Sequence, residues 1–223
     1  MGIAERKERE KEARRGEILE AAEKVFFEKG LNQATMDEIA AEAELGKSTL
    51  YLYYRSKEDL YLAVMMRGSE VMFRLFMEAT STGEPTLKLI RNLGDAYYEF
   101  FKKHRNYFRM YYFFESPDLH TQVSDEMKAA CFRNDEKIWG LVIGLIRKAI
   151  AEKVFRDDID PQQTAVILWA NANGLMRQMD RMEPYWRDAM KIDLDATLRR
   201  ANTFVLQGMM TDKAKKQFAG LFE

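Results

Sequence analysis

Apolar residues recur at helical spacing along almost the whole chain, and this pattern limits the possible folds more than any other feature. Near the N-terminus, Ile18, Ala22 and Val25 follow one another at four- and three-residue intervals, which places them on one helix face. Runs of alternating β-branched residues and internal repeats are not found. We therefore predict an all-α protein, whose 223 residues suffice for one large domain or two small ones.

Glycine and capping residues divide this pattern into helices. Gly30 is predicted to end the first helix as a left-handed cap, and Thr35 with Glu38 forms a capping box that begins the second. A third, short helix covers residues 47–54, and Ser56 caps a fourth. Beyond a Gly- and Pro-containing break, the same pattern predicts helices at about 86–103, 106–115, 122–153, 161–181 and 194–210.

The second and third helices are short, joined by a tight turn and braced by a longer helix, which are the proportions of a DNA-reading helix-turn-helix. In the third helix Leu50 and Tyr54 are predicted to pack inward, so that Lys47 and Tyr51 point outward. Lysine donates to guanine or phosphate, and tyrosine offers a ring to a thymine methyl group. Thr35 and Lys57 lie at the starts of the flanking helices, where free backbone amides and the helix dipole favour phosphate. The candidate DNA-binding residues are Thr35, Lys47, Ser48, Thr49, Tyr51, Tyr53 and Lys57.

This region resembles the TetR family of bacterial regulators. The matching features lie within residues 35–60: Thr at the start of the second helix, Ile-Ala within it, Leu-Tyr in the third helix, an aromatic pair and Lys-Glu-x-Leu. The resemblance implies the same DNA-facing residues. It also implies an N-terminal three-helix DNA-binding domain at 1–60, with a charged N-terminal arm at 1–14, followed by a larger helical ligand-binding and dimerisation domain at 61–223.

Two features count against tight DNA binding. The family turn carries Gly where this chain has Glu44, which implies a slightly different turn conformation and places a negative charge near the DNA. The first 60 residues hold 11 Lys and Arg against 14 Asp and Glu, and the whole chain has a net charge of −1. Because a DNA-binding domain is usually basic, contact with DNA must come from a few well-placed groups.

Charges of both signs alternate in residues 5–15, where apolar residues are almost absent. The segment can continue the first helix or fray, because Glu and Arg stand four residues apart in it. We interpret it as a solvated, half-ordered tail. The alternative is an arm that contacts DNA.

Aromatic residues are concentrated in residues 97–114, which hold 10 of the 27 in the chain. Most are interpreted as core, but one helix face cannot bury them all, so some are expected to line a cavity for a small apolar or aromatic effector. The candidate ligand-binding residues are Tyr98, Phe101, Tyr111, Phe114, Trp139 and Met176, with polar contacts from Asn171, Asn173 and Arg177.

Two apolar stripes lie on the helices predicted at 161–181 and 194–210. They fit burial within the chain as well as packing against a second copy, and the resemblance favours a homodimer that reads a near-palindromic operator. On the same grounds we expect a repressor. Our hypothesis is that the effector tilts the fourth helix and thereby changes the separation of the two DNA-binding domains, which we call the reading heads. The stripes are Leu168, Ala172, Leu175 and Met179, and Leu198, Ala201, Val205 and Met209.

The enzyme motifs that the sequence partly matches each lack a required residue. The sequence from Gly46 to Thr49 is similar to the end of a phosphate-binding loop, but Ala41 stands where that loop needs glycine. His104 and His120 lack the glutamate three residues earlier that a di-iron site requires. We therefore predict no enzyme, no catalytic residue, no metal and no cofactor. A helical adaptor or an enzyme without DNA binding is the alternative.

The remaining features indicate the cytoplasm. Cys131 is the single cysteine and is interpreted as a reduced, buried thiol. The charged N-terminal sequence has no apolar signal core, and the longest apolar run, 138–146, is too short to cross a membrane. No membrane partner is expected.

Overall fold

The computed structural model describes residues 2–114 and 117–221, and helices dominate this part of the chain. Its one β-type contact within those ranges is an isolated bridge between Phe155 and Met210, which confirms the all-α prediction. A π-helical turn (Tyr185–Ala189) and a 3₁₀ turn (Ala219–Leu221) also occur. The helices are α1 (Ile3–Gln33), α2 (Met36–Glu42), α3 (Lys47–Tyr53), α4 (Lys57–Thr80), α5 (Thr86–Lys103), α6 (Arg105–Phe114), α7 (Pro117–Gln122), α8 (Asp125–Ala151), α9 (Pro161–Pro184), α10 (Leu194–Met209) and α11 (Asp212–Gln217).

The helix boundaries follow the sequence pattern closely, with four short additions, of which one is the 3₁₀ turn. Helix α5 covers the predicted residues, and α10 ends one residue earlier than predicted. The segment predicted as one helix over 122–153 is α8, and the short α7 precedes it. Neither α7, the π-helical turn nor α11 was expected, because each is too short to show a helical period of apolar residues.

Helix α1 includes the charged segment that we interpreted as a half-ordered tail. That interpretation is wrong, because the helix begins at Ile3 and runs through the segment without a break. Pairs of opposite charge one turn apart support it, including Arg6 with Glu10 at 2.8 Å.

Gly30 interrupts α1 near its end. Its φ of 71° and ψ of 174° form an extended backbone with positive φ, which glycine alone adopts readily. The predicted left-handed cap is therefore wrong in its conformation. The chain turns at Gly30, but a last helical turn continues to Gln33.

Contacts divide the chain into two units. The first comprises Met1–Val71 and His104–Asp135, and the second comprises Met72–Lys103 and Glu136–Glu223. The predicted domain boundary between residues 60 and 61 falls within α4. That boundary separates a DNA-binding from a ligand-binding function, and it stays a prediction.

The first unit packs α1, α2, α3 and the beginning of α4 around one apolar core. Ile18, Ile39 and Leu60 are fully buried there. Helix α6 joins this core through hydrogen bonds as well as apolar contacts. The Tyr61 hydroxyl donates to the Met110 carbonyl at 3.0 Å, and burial raises the pKa of the Tyr61 phenol well above its usual range.

The second unit has its own core, formed by α5, the later part of α8, α9, α10 and α11. Leu87, Ile146 and Phe155 are among its most buried members. Asp160 caps α9 and Asp193 caps α10, each through a side-chain oxygen that accepts a backbone N–H from the first turn. Among the described helices, none is long and apolar enough to cross a membrane.

Candidate nucleic-acid interface

Helix α2 begins with the predicted capping box. The Thr35 hydroxyl accepts the backbone N–H of Glu38 at 3.2 Å, and the Glu38 carboxylate accepts the backbone N–H of Thr35 at 3.0 Å. Lys29 of α1 donates to the same carboxylate at 2.7 Å. Hydrogen bonds from Lys29 and then from Thr35 hold the pKa of Glu38 below its usual range. The start of α2 is thus fixed to α1, with Thr35 exposed.

The turn between α2 and α3 contains a strained residue. Glu44 has a φ of 53°, in the left-handed region that favours glycine. The Leu45 N–H closes the turn by donating to the Ala40 carbonyl at 2.9 Å. We expected a side chain at this position to change the turn. That expectation is wrong, because Glu44 takes the positive φ for which glycine is suited and accepts the strain.

Helix α3 has one buried side and one exposed side, as predicted. Leu50 is completely buried and Tyr54, the residue after the helix, is 6% exposed. Of the predicted DNA-binding residues in α3, Lys47, Ser48 and Tyr51 are exposed. Thr49 and Tyr53 are half-buried and lie at the edges of the exposed side.

Leu52 was missed by the sequence analysis. Its side chain is 83% exposed, more than that of Tyr51 beside it, although it is a large apolar residue. It follows Ser48 by one helical turn and lies off the inner stripe of Leu50 and Tyr54. The helical period alone therefore places it on the candidate DNA-facing side, and we add it to the candidates.

The exposed lysines of this region are paired with carboxylates of α2. Lys47 donates to Asp37 at 2.8 Å and Lys24 donates to Glu42 at 2.9 Å. The hydrogen bond to Asp37 is the main reason why the pKa of Lys47 is raised. The charge balance noted in the sequence is therefore local, because acid and base are matched in pairs on the surface. A phosphate that binds Lys47 must compete with Asp37.

Lys57 makes a contact with the protein itself. Its ammonium donates to the carbonyl of Ala34, the residue that follows α1, at 3.0 Å. This bond satisfies a carbonyl that the end of a helix leaves without a partner, and it ties α4 to the start of α2. The DNA-facing role of Lys57 stays a prediction.

Two side chains at the start of α4 hold the junction of α7 and α8. The Ser56 hydroxyl donates to the Gln122 carbonyl at 3.3 Å. Asp59, although only 3% exposed, accepts the backbone N–H of Ser124 at 2.8 Å. Ser124 immediately precedes α8, so Asp59 caps a helix that lies 65 residues away in sequence. We call Ser56, Asp59, Gln122 and Ser124 the α4–α8 clasp.

Two of the predicted ligand-binding residues belong to the first unit. Tyr111 forms a hydrogen bond with Ser69 of α4, and burial raises the pKa of its phenol well above the usual range. Phe114 is half-buried against the same apolar core. The structure gives both residues a role in packing α6, and their contact with a ligand stays a prediction.

The other seven predicted ligand-binding residues belong to the second unit, where they differ in burial. Phe101, Met176 and Asn173 are buried, and Asn173 accepts the Tyr97 hydroxyl at 3.4 Å. Tyr98 is half-buried, with the Lys102 ammonium 4.7 Å from its ring centroid. The remaining three are half-buried: Trp139, Asn171 and Arg177.

Helices α9 and α10 bury much of the predicted stripes and expose other apolar residues. Ala172, Met179, Leu198 and Met209 are buried within the chain, and the other stripe residues are half-buried. The four buried side chains therefore pack within one copy of the chain. A different set of residues in the same two helices is exposed, and we call it the α9–α10 face: Val166, Ile167, Ala170, Gly174, Phe204 and Gly208.

The buried thiol behaves as predicted. Cys131 is unpaired and 6% exposed, and burial raises its pKa to about 11. Within residues 2–114 and 117–221 no group of three or more His, Cys, Asp or Glu could hold a metal ion.

Comparison with known proteins shows that residues 18–64 match the family described as bacterial regulatory proteins, tetR family. The HTH-type transcriptional activator FasR of Mycolicibacterium smegmatis is 30% identical over 133 residues, which are 59% of this chain and 60% of FasR. The chain thus covers less than two thirds of that relative. The HTH-type transcriptional repressor KstR2 of Mycobacterium tuberculosis is 26% identical over 148 residues, 66% of this chain and 72% of KstR2.

Solved structures show the same fold. The structure of KstR2, described as a ketosteroid transcriptional regulator, superposes with a TM-score of 0.62 and 21% identity over 89% of this chain and 96% of KstR2. FadR of Bacillus subtilis, solved in complex with stearoyl-CoA, gives a TM-score of 0.65 and 15% identity over 86% of this chain and 98% of FadR. These relatives are named as transcriptional regulators, in agreement with the prediction that the chain is not an enzyme.

Proposed function

We propose that the chain, whose residues 18–64 match the TetR family of bacterial regulatory proteins, is a dimeric, effector-responsive repressor that binds a near-palindromic operator. The observation that carries the proposal is the two-sided helix α3. Its inner residues are buried in the core, while Lys47, Ser48 and Tyr51 are exposed at its N-terminal part. A recognition helix presents this end to the major groove.

Each exposed side chain of α3 has a contact that suits its chemistry. Lys47 donates to guanine acceptors or to a phosphate once Asp37 releases it. Ser48 is short enough for close approach to a base edge. Tyr51 and Leu52 supply apolar surface for thymine methyl groups, and this accounts for a leucine that is 83% exposed.

The α9–α10 face supports the dimer. Val166 and Ile167 are 51% and 52% exposed, and Phe204 is 66% exposed. Ala170 and Gly174 follow Val166 at four-residue intervals, so small residues recur where two helices of different copies must approach. Large apolar side chains beside small ones favour helix–helix packing, and a twofold dimer brings two reading heads to two half-sites.

We propose an amphipathic or apolar effector with an extended hydrocarbon part. The concentration of aromatic residues in 97–114 supports this class. The ligand of the FadR complex, stearoyl-CoA, and the ketosteroid in the description of KstR2 define two chemistries to test first. Long-chain acyl-CoA and steroid ketones share a large apolar part, and they differ in the large, anionic CoA group that only the first carries.

The α4–α8 clasp supports a route from effector to DNA. Asp59 and Ser124 make a buried, charge-assisted hydrogen bond, so a shift of the start of α8 carries the start of α4 with it. Lys57 in turn joins α4 to the start of α2. An effector that favours one position of α8 thereby shifts the population of heads that fit the operator. The proposal places the protein in the cytoplasm, where the DNA is.

The experiment uses fluorescence anisotropy with a labelled duplex chosen by selection from a random pool. Stearoyl-CoA and a steroid ketone are added separately, with free CoA as the control that lacks the acyl chain. We expect one of the two to weaken duplex binding at least about tenfold, the equivalent of a 1.4 kcal/mol coupling between the sites. A probe that raises the melting temperature and leaves duplex affinity unchanged contradicts the effector mechanism.

A reporter gene behind the selected duplex tests the sign of regulation. Repression predicts low expression when the protein is present and recovery when the effector is added. Higher expression in the presence of the protein would instead make it an activator, the function in the name of FasR.

A further inference from the structure

The first turns of α1 lie outside the segment that matches the family. The helix begins at Ile3, whereas the family match begins at residue 18. Residues 4–14 are all exposed, and the first half-buried residue with a charge is Arg15. At 1.5 Å per residue, the additional helix is about 20 Å long. It is too long to be explained as a fraying helix end, and the side chains of residues 4–14 contribute nothing to the apolar core.

The additional helix projects past α3. At the C-terminal end of α3, burial raises the pKa of Tyr54 to about 12, and the positive charge of nearby Arg15 acts in the opposite direction. The turn that leads into α3 shares one cleft with α1, in which Glu44 lies among α1 residues from Arg14 to Lys24. The C-terminal end of α3 thus lies near Arg15, and the turn before α3 lies beside residues 14–24 of α1. Residues 3–11 extend beyond the helix that we propose reads the groove.

The charges of this projection are sorted by face. Lys7, Lys11 and Arg14 recur at four- and three-residue intervals, and Ile18 continues the same line four residues later. The basic face thus extends the side of α1 that faces the core. The carboxylates of Glu5, Glu8 and Glu12 recur on a different face.

Three basic residues of this segment form no ion pair with the residues that the structure describes: Lys7 and Lys11 on the basic face, and Arg9 on another face. Arg6, Arg14 and Arg15 pair with Glu10, Glu17 and Glu12 in turn. Lys7 and Lys11 form no ion pair with any residue that the structure describes, and both are exposed. This contrasts with Lys24, Lys29 and Lys47, each of which is paired with a carboxylate of α2.

We infer that Lys7 and Lys11 contact the phosphate backbone of the duplex beside the groove that α3 enters. The inference rests on the proposed function, because the partner is the same DNA. Beyond the end of the bundle, the basic face continues the side of α1 that packs against the core shared with α3, so it lies on the same side of α1 as the helix that we propose reads the groove. Lys7 lies about 10 Å past Arg14 along the axis. Two lysines without carboxylate partners supply positive charge that the balanced surface of the head lacks.

The test compares the full chain with Lys7→Gln/Lys11→Gln by measuring duplex affinity over a range of salt concentrations. Each phosphate contact contributes about 0.9 to the slope of log affinity against log salt. We expect the slope of the variant to be smaller by about 1.8 for each bound protomer, with the selected sequence unchanged. Lys7→Arg/Lys11→Arg, which keeps both charges, should restore the slope of the parent.

The charge-matched control is Lys213→Gln/Lys216→Gln in α11, which removes two exposed lysines elsewhere and should leave the slope unchanged. A parental slope in the Lys7→Gln/Lys11→Gln variant overturns the inference while the proposed function stands. A changed consensus sequence also overturns it, because the two lysines would then read bases. Failure of the parent to bind any duplex identifies a failure of the proposed function itself.

Discussion

At the scale of single residues, the α2–α3 region that we propose binds DNA combines a strained turn with lysines that are paired with carboxylates. The left-handed conformation of Glu44 costs stability, while its negative charge and the pairing of Lys47 with Asp37 oppose tight DNA binding. Neither is required by the fold, since a glycine would fit the turn and an uncharged residue would fit beside Lys47. Each can therefore be removed by one substitution.

Glu44→Gly should stabilise the protein. Relief of the left-handed strain contributes about 1 kcal/mol, which raises the melting temperature by roughly 2–4 °C in a chain of this size. The control is Glu44→Ala, which removes the same charge but keeps a Cβ at positive φ and should give no such gain. Calorimetry compares the two. Equal melting temperatures for the two variants would contradict the strain at Glu44, and equal values above that of the parent would assign the gain to the lost charge.

Asp37→Asn should tighten DNA binding. It releases the Lys47 ammonium and removes a carboxylate that repels phosphate, so we expect an increase in affinity of up to about fivefold, the size of an exposed ion pair. Glu42→Gln is the matched control, because it frees Lys24 of α1 in the same way. Anisotropy titrations with the selected duplex measure both. A similar gain in both variants would assign the effect to net charge.

At the scale of helices, the packing of the first unit depends on the close approach of α4 and α6. A Cβ added at Gly68 of α4 would lie 2.6 Å from the Tyr107 ring of α6. Tyr107 cannot easily move away, because its hydroxyl donates to Glu23 of α1 at 2.6 Å. The three helices α1, α4 and α6 are thus held at one point.

Gly68→Ala should lower the free energy of unfolding by about 1–3 kcal/mol, the usual cost of overpacking. Gly16→Ala is the opposite case within α1, where an added Cβ meets nothing within 4 Å. It should raise the free energy of unfolding by about 0.5–1 kcal/mol, since alanine is the better helix former. Urea titrations give both values. A neutral Gly68→Ala variant would mean that α6 shifts freely against α4.

The helices were largely predictable from the sequence, because capping and periodicity are local signals. Thr35 with Glu38 fixed the start of α2, and Leu50 with Tyr54 fixed which side of α3 is buried. The partner of Lys57 was not predictable, since Ala34 is brought to it only by the packing of α1 and α4. The clasp between Asp59 and Ser124 joins residues 65 positions apart, and no local pattern marks it.

Two predictions failed at polar residues: the charged N-terminal segment was expected to be half-ordered, and Glu44 was expected to change the turn between α2 and α3. The charged segment before Ile18 has no apolar face, yet ion pairs one turn apart make it helical. Glu44 has a side chain that disfavours its backbone conformation, and the turn closed by the hydrogen bond from Leu45 to Ala40 adopts that conformation nevertheless. Periodicity measures burial, so it is silent where a helix is exposed all round.

At the scale of the whole molecule, the proposed repressor depends on two copies. The predicted stripes of α9 and α10 are mostly used within one copy, which leaves the α9–α10 face for the partner. Phe204 offers a sensitive test because it is 66% exposed and apolar.

Phe204→Glu should convert a dimer into monomers, because it would bury charge without a partner at the twofold interface. Phe132→Glu is the matched control: Phe132 of α8 is also 66% exposed but lies outside the α9–α10 face. Sedimentation velocity of the parent and both variants gives the masses. A parent that is already monomeric, or dissociation in Phe132→Glu alone, would refute the assignment of the interface.

The central claim is that α3 reads operator DNA, and the most direct measurement is selection of bound duplexes from a random pool. The parent is run beside Tyr51→Ala and Lys47→Ala, which alter exposed residues and should leave the fold intact. We predict that the parent enriches a near-palindromic sequence and that both variants lose or relax it at the positions they contact. No enrichment by the parent at low salt, or the same sequence from all three proteins, would contradict the claim.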